Sequence, residues 1–223
     1  MDWFAPIDLY CERLGPGFWA EPFGATSNLA FIGAASLAGF LYRRERSSDP
    51  AVAALIALVF VIGIGSFLFH TFANGWSVLA DTIPIAVFIY GYLALALRRF
   101  VGISWPAALL GLVVFAALSF ALEIGLRPFL GGSAGYVPAL FAMLGIGLLL
   151  FARGRPVGGT ILAAGAIFLV SLGFRIADLP LCPALPIGTH FLWHILNATT
   201  LGLLLVAAIR YPPPDAAAIR QPS

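Results

Sequence analysis

Seven stretches of this chain run for roughly 17 to 25 residues with almost no charge, near 26–42, 51–70, 79–97, 105–124, 136–152, 157–174 and 189–209. About 20 helical residues cross the hydrocarbon layer of a bilayer, so each stretch has the length of one span. Inside lipid every backbone N–H and C=O must find its partner within the chain, which leaves the helix as the form for such runs. A soluble domain could not hide them, because 61% of the 223 residues are apolar and only 10% are charged. The expected fold is an all-α membrane protein, a seven-transmembrane helix bundle forming one domain over 1–211. Small residues such as Gly63-Ile64-Gly65-Ser66 and Gly145-Ile146-Gly147 let helix backbones approach closely.

The arginines give the orientation. Arg43, Arg44, Arg46, Arg98, Arg99, Arg153, Arg155, Arg210 and Arg220 fall in one set of loops, against Arg13, Arg127 and Arg175 in the other. Positive loops stay on the cytoplasmic side, so the C-terminus is expected in the cytoplasm and the N-terminus outside. The segment 1–25 carries Asp8, Glu12 and Glu21 and lacks the basic start of a signal peptide, so it reads as a retained outer segment. The Pro-rich end, 212–223, reads as a flexible cytoplasmic tail. A net charge of +2 without a basic, aromatic-interleaved stripe excludes nucleic acid, and no feature names a protein partner. Twelve basic residues, all arginine, with abundant Ala, Gly and Pro fit a GC-rich bacterial genome and hence a bacterial inner membrane.

That topology gathers the three histidines at the outer end. His70 closes the second span, and His190 and His194 open the seventh. A spacing of four puts His190 and His194 on one helix face, one turn apart, as a chelate requires. A single intramembrane histidine is usually a helix-to-helix hydrogen-bond partner, but three at one end and none elsewhere read as a ligand set. Three neutral imidazoles with one position open are the pattern of catalytic zinc. Ser66 shares a face with His70, and read alone it packs beside the glycines and bonds back one turn. Asp81 reads either as a helix N-cap or as a general base, and its nearness to His70 favours the base. A Ser66/His70/Asp81 triad would leave His190 and His194 unexplained.

Cys11 and Cys182 both face the outer, oxidising side, where a disulfide persists, so a bond tying the N-terminal segment over the bundle is preferred to two free thiols. Asp8, Glu12 and Glu21, with the Tyr10 and Leu14 carbonyls, supply hard oxygen ligands of the kind calcium takes, although a solvated acidic face is the plainer reading. Glu123 with Arg127, and Arg175 with Asp178, stand at helical spacing as interfacial ion pairs.

Taken together, Tyr10-Cys11-Glu12, Glu21-Pro22, Gly63 to Thr71, Asp81-Thr82-Ile83-Pro84 and His190-Phe191-Leu192-Trp193-His194 resemble the alkaline ceramidase family of seven-span intramembrane hydrolases. The resemblance implies zinc on His70, His190 and His194, proton handling by Asp81, and an oxyanion contact from Ser66. It also implies a Cys11–Cys182 disulfide and a calcium site at the N-terminal segment, where Leu14 stands in place of the family's asparagine. The implied activity is hydrolysis of the amide of ceramide, or of a related N-acyl lipid, to fatty acid and sphingoid base. The rival reading is a non-enzymatic heptahelical lipid receptor or transporter with a structural metal.

Overall fold

The computed structural model describes residues 2–211, and these are helical apart from the N-terminal segment and short connections. The helices are α1 (Pro22–Ser27), α2 (Leu29–Arg44), α3 (Pro50–Phe72), α4 (Gly75–Leu95), α5 (Trp105–Leu130), α6 (Val137–Ala152), α7 (Pro156–Leu181) and α8 (His190–Arg210). A π-helical turn, Ala96–Val101, prolongs α4, and a 3-10 segment, Gly131–Tyr136, joins α5 to α6. The expected tail, 212–223, lies outside the described residues.

Six of the helical stretches are long and apolar enough to cross a membrane, as an integral membrane protein requires. Six rather than seven emerge because α5, the 3-10 segment and α6 run on as one 48-residue stretch. By itself α6 has 16 residues, about 24 Å of helix, short of the ~30 Å hydrocarbon layer. The outer surface suits lipid: along α5, Leu109, Leu110, Val113, Leu118 and Phe120 are exposed, and Ala108 is the one residue of that helix that is buried.

Local signals explain the boundaries. Asp49 caps α3 by accepting from the amides of Ala51 and Val52, and Pro50 occupies the first turn, where its missing N–H does no harm. The start of α4 is a reciprocal capping box between Asn74 and Ser77. Asp81 therefore lies in the second turn and is not the cap, which removes its plainer reading. Pro84 sits inside the same helix.

Packing brings α8 between α7 and α2, with α2 on α3 and α3 on α4. Gly65 is what permits the last contact. A Cβ at that position would collide with the Ala80 carbonyl and crowd the amide of Asp81. The main apolar core runs through α2, α3, α4, α7 and α8, with Phe31, Val59, Ile62, Phe88, Ile161 and Leu205 buried in it. The N-terminal segment folds back over the end of the bundle that carries His70 and His190. Its Ile7 amide donates to the Ala73 carbonyl at 2.7 Å, and Cys11 is bonded to Cys182 at the end of α7.

Candidate metal centre

Three ends converge at that face: the last turn of α3 with His70, the first turns of α8 with His190 and His194, and the N-terminal segment. All three imidazoles are buried, and one ligand nitrogen from each lies within 4.8 Å of the others. Among the described residues no fourth His, Cys, Asp or Glu joins them.

Hydrogen bonds fix which nitrogens face inward. His70 Nδ1 contacts the Glu21 carboxylate, whose other oxygen accepts from Arg13 Nε. In the ionised form that the Arg13 pair favours, Glu21 accepts only, so His70 Nδ1 carries the proton and Nε2 the lone pair. His194 Nδ1 lies 2.7 Å from Ser27 Oγ, and that hydroxyl spends its single proton on the Gly24 carbonyl, 2.9 Å away. Ser27 must then accept from His194, which leaves a lone pair on Nε2 there too. The two Nε2 atoms stand 3.1 Å apart. Two lone pairs cannot hydrogen-bond to each other, and the separation is close to the edge of about 3.3 Å between tetrahedral zinc ligands. A cation resolves the contact. Such carboxylate and hydroxyl partners, which fix the tautomer of a ligating histidine, are the usual outer shell of a metal site.

The third imidazole is oriented by other means. The His190 backbone amide donates to Asp178 Oδ1 at 2.9 Å, as does that of Thr189 at 2.7 Å, while Asp178 Oδ2 accepts from the Cys11 amide at 2.9 Å. One buried carboxylate thus ties the start of α8, the end of α7 and the N-terminal segment into one unit. Gly188, at φ +64, lets the chain turn into α8, and a Cβ there would strike that carboxylate. The Tyr10 ring stacks on the His190 ring, with centroids 3.6 Å apart, and on the His70 ring at 5.2 Å. His190 Nδ1 is buried with no hydrogen-bond partner.

The turn carrying Ser66 lies against the turn carrying Asp81 where Gly65 lets α3 and α4 touch. Both residues are buried there. Thr71, Thr82 and Thr199 bond back to carbonyls of their own helices, which is the role expected of Ser66 read alone. Asp81 Oδ1 is buried and has no donor among the described residues.

Of the expected calcium ligands Asp8, Tyr10, Glu12, Leu14 and Glu21, the three carboxylates do not converge on one point as the histidines do. Glu12 accepts from the amides of Phe23 and Gly24 at 2.6 and 2.7 Å, which caps α1, and burial pushes its carboxyl up against the pull of those two amides. Glu21 is turned inward to His70 and Arg13, and burial pushes its carboxyl up to about 7 while Arg13 draws it down. The Tyr10 ring lies on the histidines and Leu14 is 91% exposed, while the oxygens expected of both are their carbonyls. The Glu12 and Glu21 carboxylates are thus engaged by a helix start and by His70 with Arg13.

Sequence reasoning missed Arg13, Ser27 and Asp178 in these roles. Arg13 also donates to the His70 carbonyl at 3.0 Å, so one guanidinium steadies both the backbone and, through Glu21, the ring of the same histidine. The expected Glu123–Arg127 pair forms at 3.8 Å on the exposed surface, but Arg175 and Asp178 do not pair, because three amides occupy Asp178. The chain matches no protein-family model, and a search of curated proteins finds no match.

Proposed function

We propose that the chain is a zinc-dependent intramembrane hydrolase that cleaves the amide of ceramide or a related N-acyl lipid, as its resemblance to the alkaline ceramidases implies. The observation that carries the reading is the pair of facing Nε2 lone pairs on His70 and His194, joined by His190 and by no fourth ligand among the described residues. A closed structural site, as in a receptor, needs that fourth ligand. When bound, zinc supplies Lewis acidity, lowering the pKa of water to about 7 and polarising a carbonyl.

The chain's own residues do the rest. Asp81, with a carboxylate oxygen that no donor occupies, takes the proton of the attacking water as the new C–O bond forms. The Ser66 hydroxyl donates to the carbonyl oxygen as it gains charge. Asp81 then returns the proton to the amine nitrogen as the C–N bond breaks, giving a fatty acid and a sphingoid base.

A lipid substrate is supported by the partly open apolar cavity one helical turn from the site, where Ile62, Ile85 and Asn197 line it. It runs from Tyr136 and Ala139 past Phe88 and Met143 to Leu204, and its lining is almost wholly apolar. An acyl chain lying there would bring its amide to the histidine end.

In the same reading α5 and α6 cross separately, because 48 helical residues span about 72 Å, more than twice the hydrocarbon layer. That restores seven spans, with the N-terminus outside, the C-terminus cytoplasmic and the centre on the periplasmic side of a bacterial inner membrane. The test is fatty-acid release from N-acyl sphingoid lipid by purified, zinc-analysed protein. Asp81→Asn should lose about 100-fold or more in rate while retaining zinc, and His194→Ala should lose both zinc and activity. Full activity in both variants would sink the assignment.

A further inference from the structure

Arg175 has no carboxylate within ion-pair distance among the described residues, Asp81 acting on it only from farther away. Its Cζ lies 5.5 Å from the ring centroid of Tyr10, 5.3 Å from that of Tyr136 and 5.5 Å from that of Trp193. Those rings come from the N-terminal segment, the end of the 3-10 segment and α8, so three separate parts of the chain wall in one guanidinium. Asp178, one turn along α7, is occupied by the amides of Cys11, Thr189 and His190. The Arg175 Nε is buried with no hydrogen-bond partner.

Aromatic faces hold a cation by their quadrupoles, and although the Tyr10 and Tyr136 hydroxyls lie close to the guanidinium, its Nε stays without a partner. Arginine is also the side chain best shaped to receive a carboxylate or phosphate in two parallel hydrogen bonds. A charge in the membrane that lacks an ion pair is costly and tends to mark function. The position gives that function a direction. The Tyr10 ring is a wall shared by Arg175 and the histidines, at 5.5 Å from the guanidinium and 3.6 Å from the His190 ring, and Trp193 directly precedes His194. Tyr136 also lines the apolar cavity. A lipid with its chain in the cavity and its amide at the histidines would carry its headgroup past Arg175.

We propose that Arg175 anchors an oxyanion, a carboxylate or a phosphate, borne within a few bonds of the scissile amide, so that the preferred substrates are acidic N-acyl lipids and not neutral ceramide. This rests on the amide-hydrolase reading for its substrate, but its test does not need turnover.

In the Asp81→Asn background, which holds substrate uncut, full-length protein in detergent is titrated with an N-acylglycine and with its methyl ester, both displacing a fluorescent acyl probe. The acid should bind about tenfold or more tightly than the ester, and Arg175→Gln should erase that difference. Ceramide against its phosphate ester forms a second arm, which tells a phosphate preference from a carboxylate one. Equal affinity of the charged and neutral members in both arms would overturn the proposal. So would an Arg175→Gln protein that melts lower yet keeps the preference, since the arginine would then be only a structural plug. If Arg175→Gln does not fold, Arg175→Lys keeps the charge and should keep part of the preference, and a preference wholly lost or unchanged there counts against the bidentate anchor. Wild-type protein that binds acids selectively but releases fatty acid from none of the four lipids would refute the hydrolase reading and leave the anchor standing.

Discussion

Glu21→Gln removes one proton acceptor from the centre with little change in side-chain size. In the wild type one carboxylate oxygen takes Arg13 Nε–H and the other takes His70 Nδ1–H. The amide retains one oxygen. If that oxygen stays with Arg13, the NH2 group confronts His70 Nδ1–H, and the ring must move its proton to Nε2 and surrender the lone pair facing His194. If the amide turns over, the ring keeps its tautomer and the NH2 group confronts Arg13. The first arrangement satisfies its donors, because the new His70 Nε2–H meets the His194 lone pair, but it removes a metal-binding lone pair; the second leaves a buried donor without an acceptor, which costs about 1–3 kcal/mol. Loss of an outer-shell partner of this kind weakens metal binding by about 10–100-fold, which corresponds to about 1.4–2.7 kcal/mol. The assay is competition for zinc against a chromophoric chelator in detergent, with the Tm of the metal-free protein measured alongside. Glu21→Ala separates the two effects, because it also strands the buried Arg13 at about 3–5 kcal/mol and should lower the metal-free Tm as well. Wild-type zinc affinity and an unchanged Tm in Glu21→Gln would show that the carboxylate does not set the His70 tautomer.

Ser27→Ala should weaken zinc in the same competition assay by about tenfold, since His194 Nδ1 loses its acceptor; unchanged affinity would mean that the neighbouring backbone orients the ring. Gly65→Val should push α4 away at Ala80, destabilising the protein by about 1–3 kcal/mol and lowering kcat with zinc content intact, read from activity beside metal analysis. Cys11→Ser should lower the Tm by about 2–4 kcal/mol of stability, to a value insensitive to added reductant. Ala142→Phe should shorten the acyl chains accepted, checked with a ladder of N-acyl lengths; an unchanged profile would exclude this cavity as the acyl site.

The membrane-spanning character was legible because hydropathy averages over some twenty residues and tolerates errors at either end, but the same averaging does not foresee that α5, the 3-10 segment and α6 run on as one stretch. The histidine set was legible because two members share one helix face and the third is brought to them by topology alone. What escaped the sequence depends on an irregular segment with no periodicity. Glu21 lies 49 residues from the histidine it touches, Ser27 lies 167 from its own, and Asp178 reaches Cys11 across the same separation of 167. Nothing local distinguishes such residues from solvated ones, so Glu21 reads as a calcium ligand and Arg13 as a topology charge. The start of α4 is a different case. Asn74-Gly75-Trp76-Ser77 is a capping box readable in the chain, and reading it as part of a connection is what made Asp81 a candidate cap. Arg175 and Asp178 show the limit of spacing arguments, since three backbone donors outcompeted a neighbouring cation for one carboxylate.

The sequence separation of 171 between the bonded cysteines gives biogenesis an order. Cys11 emerges first from the ribosome but must wait for almost the entire polypeptide before its mate arrives. Until then Tyr10 lacks the His190 ring, the imidazole it lies against most closely, and the Cys11 amide lacks the Asp178 carboxylate as a settled acceptor. The centre is consequently the last part of the molecule to mature.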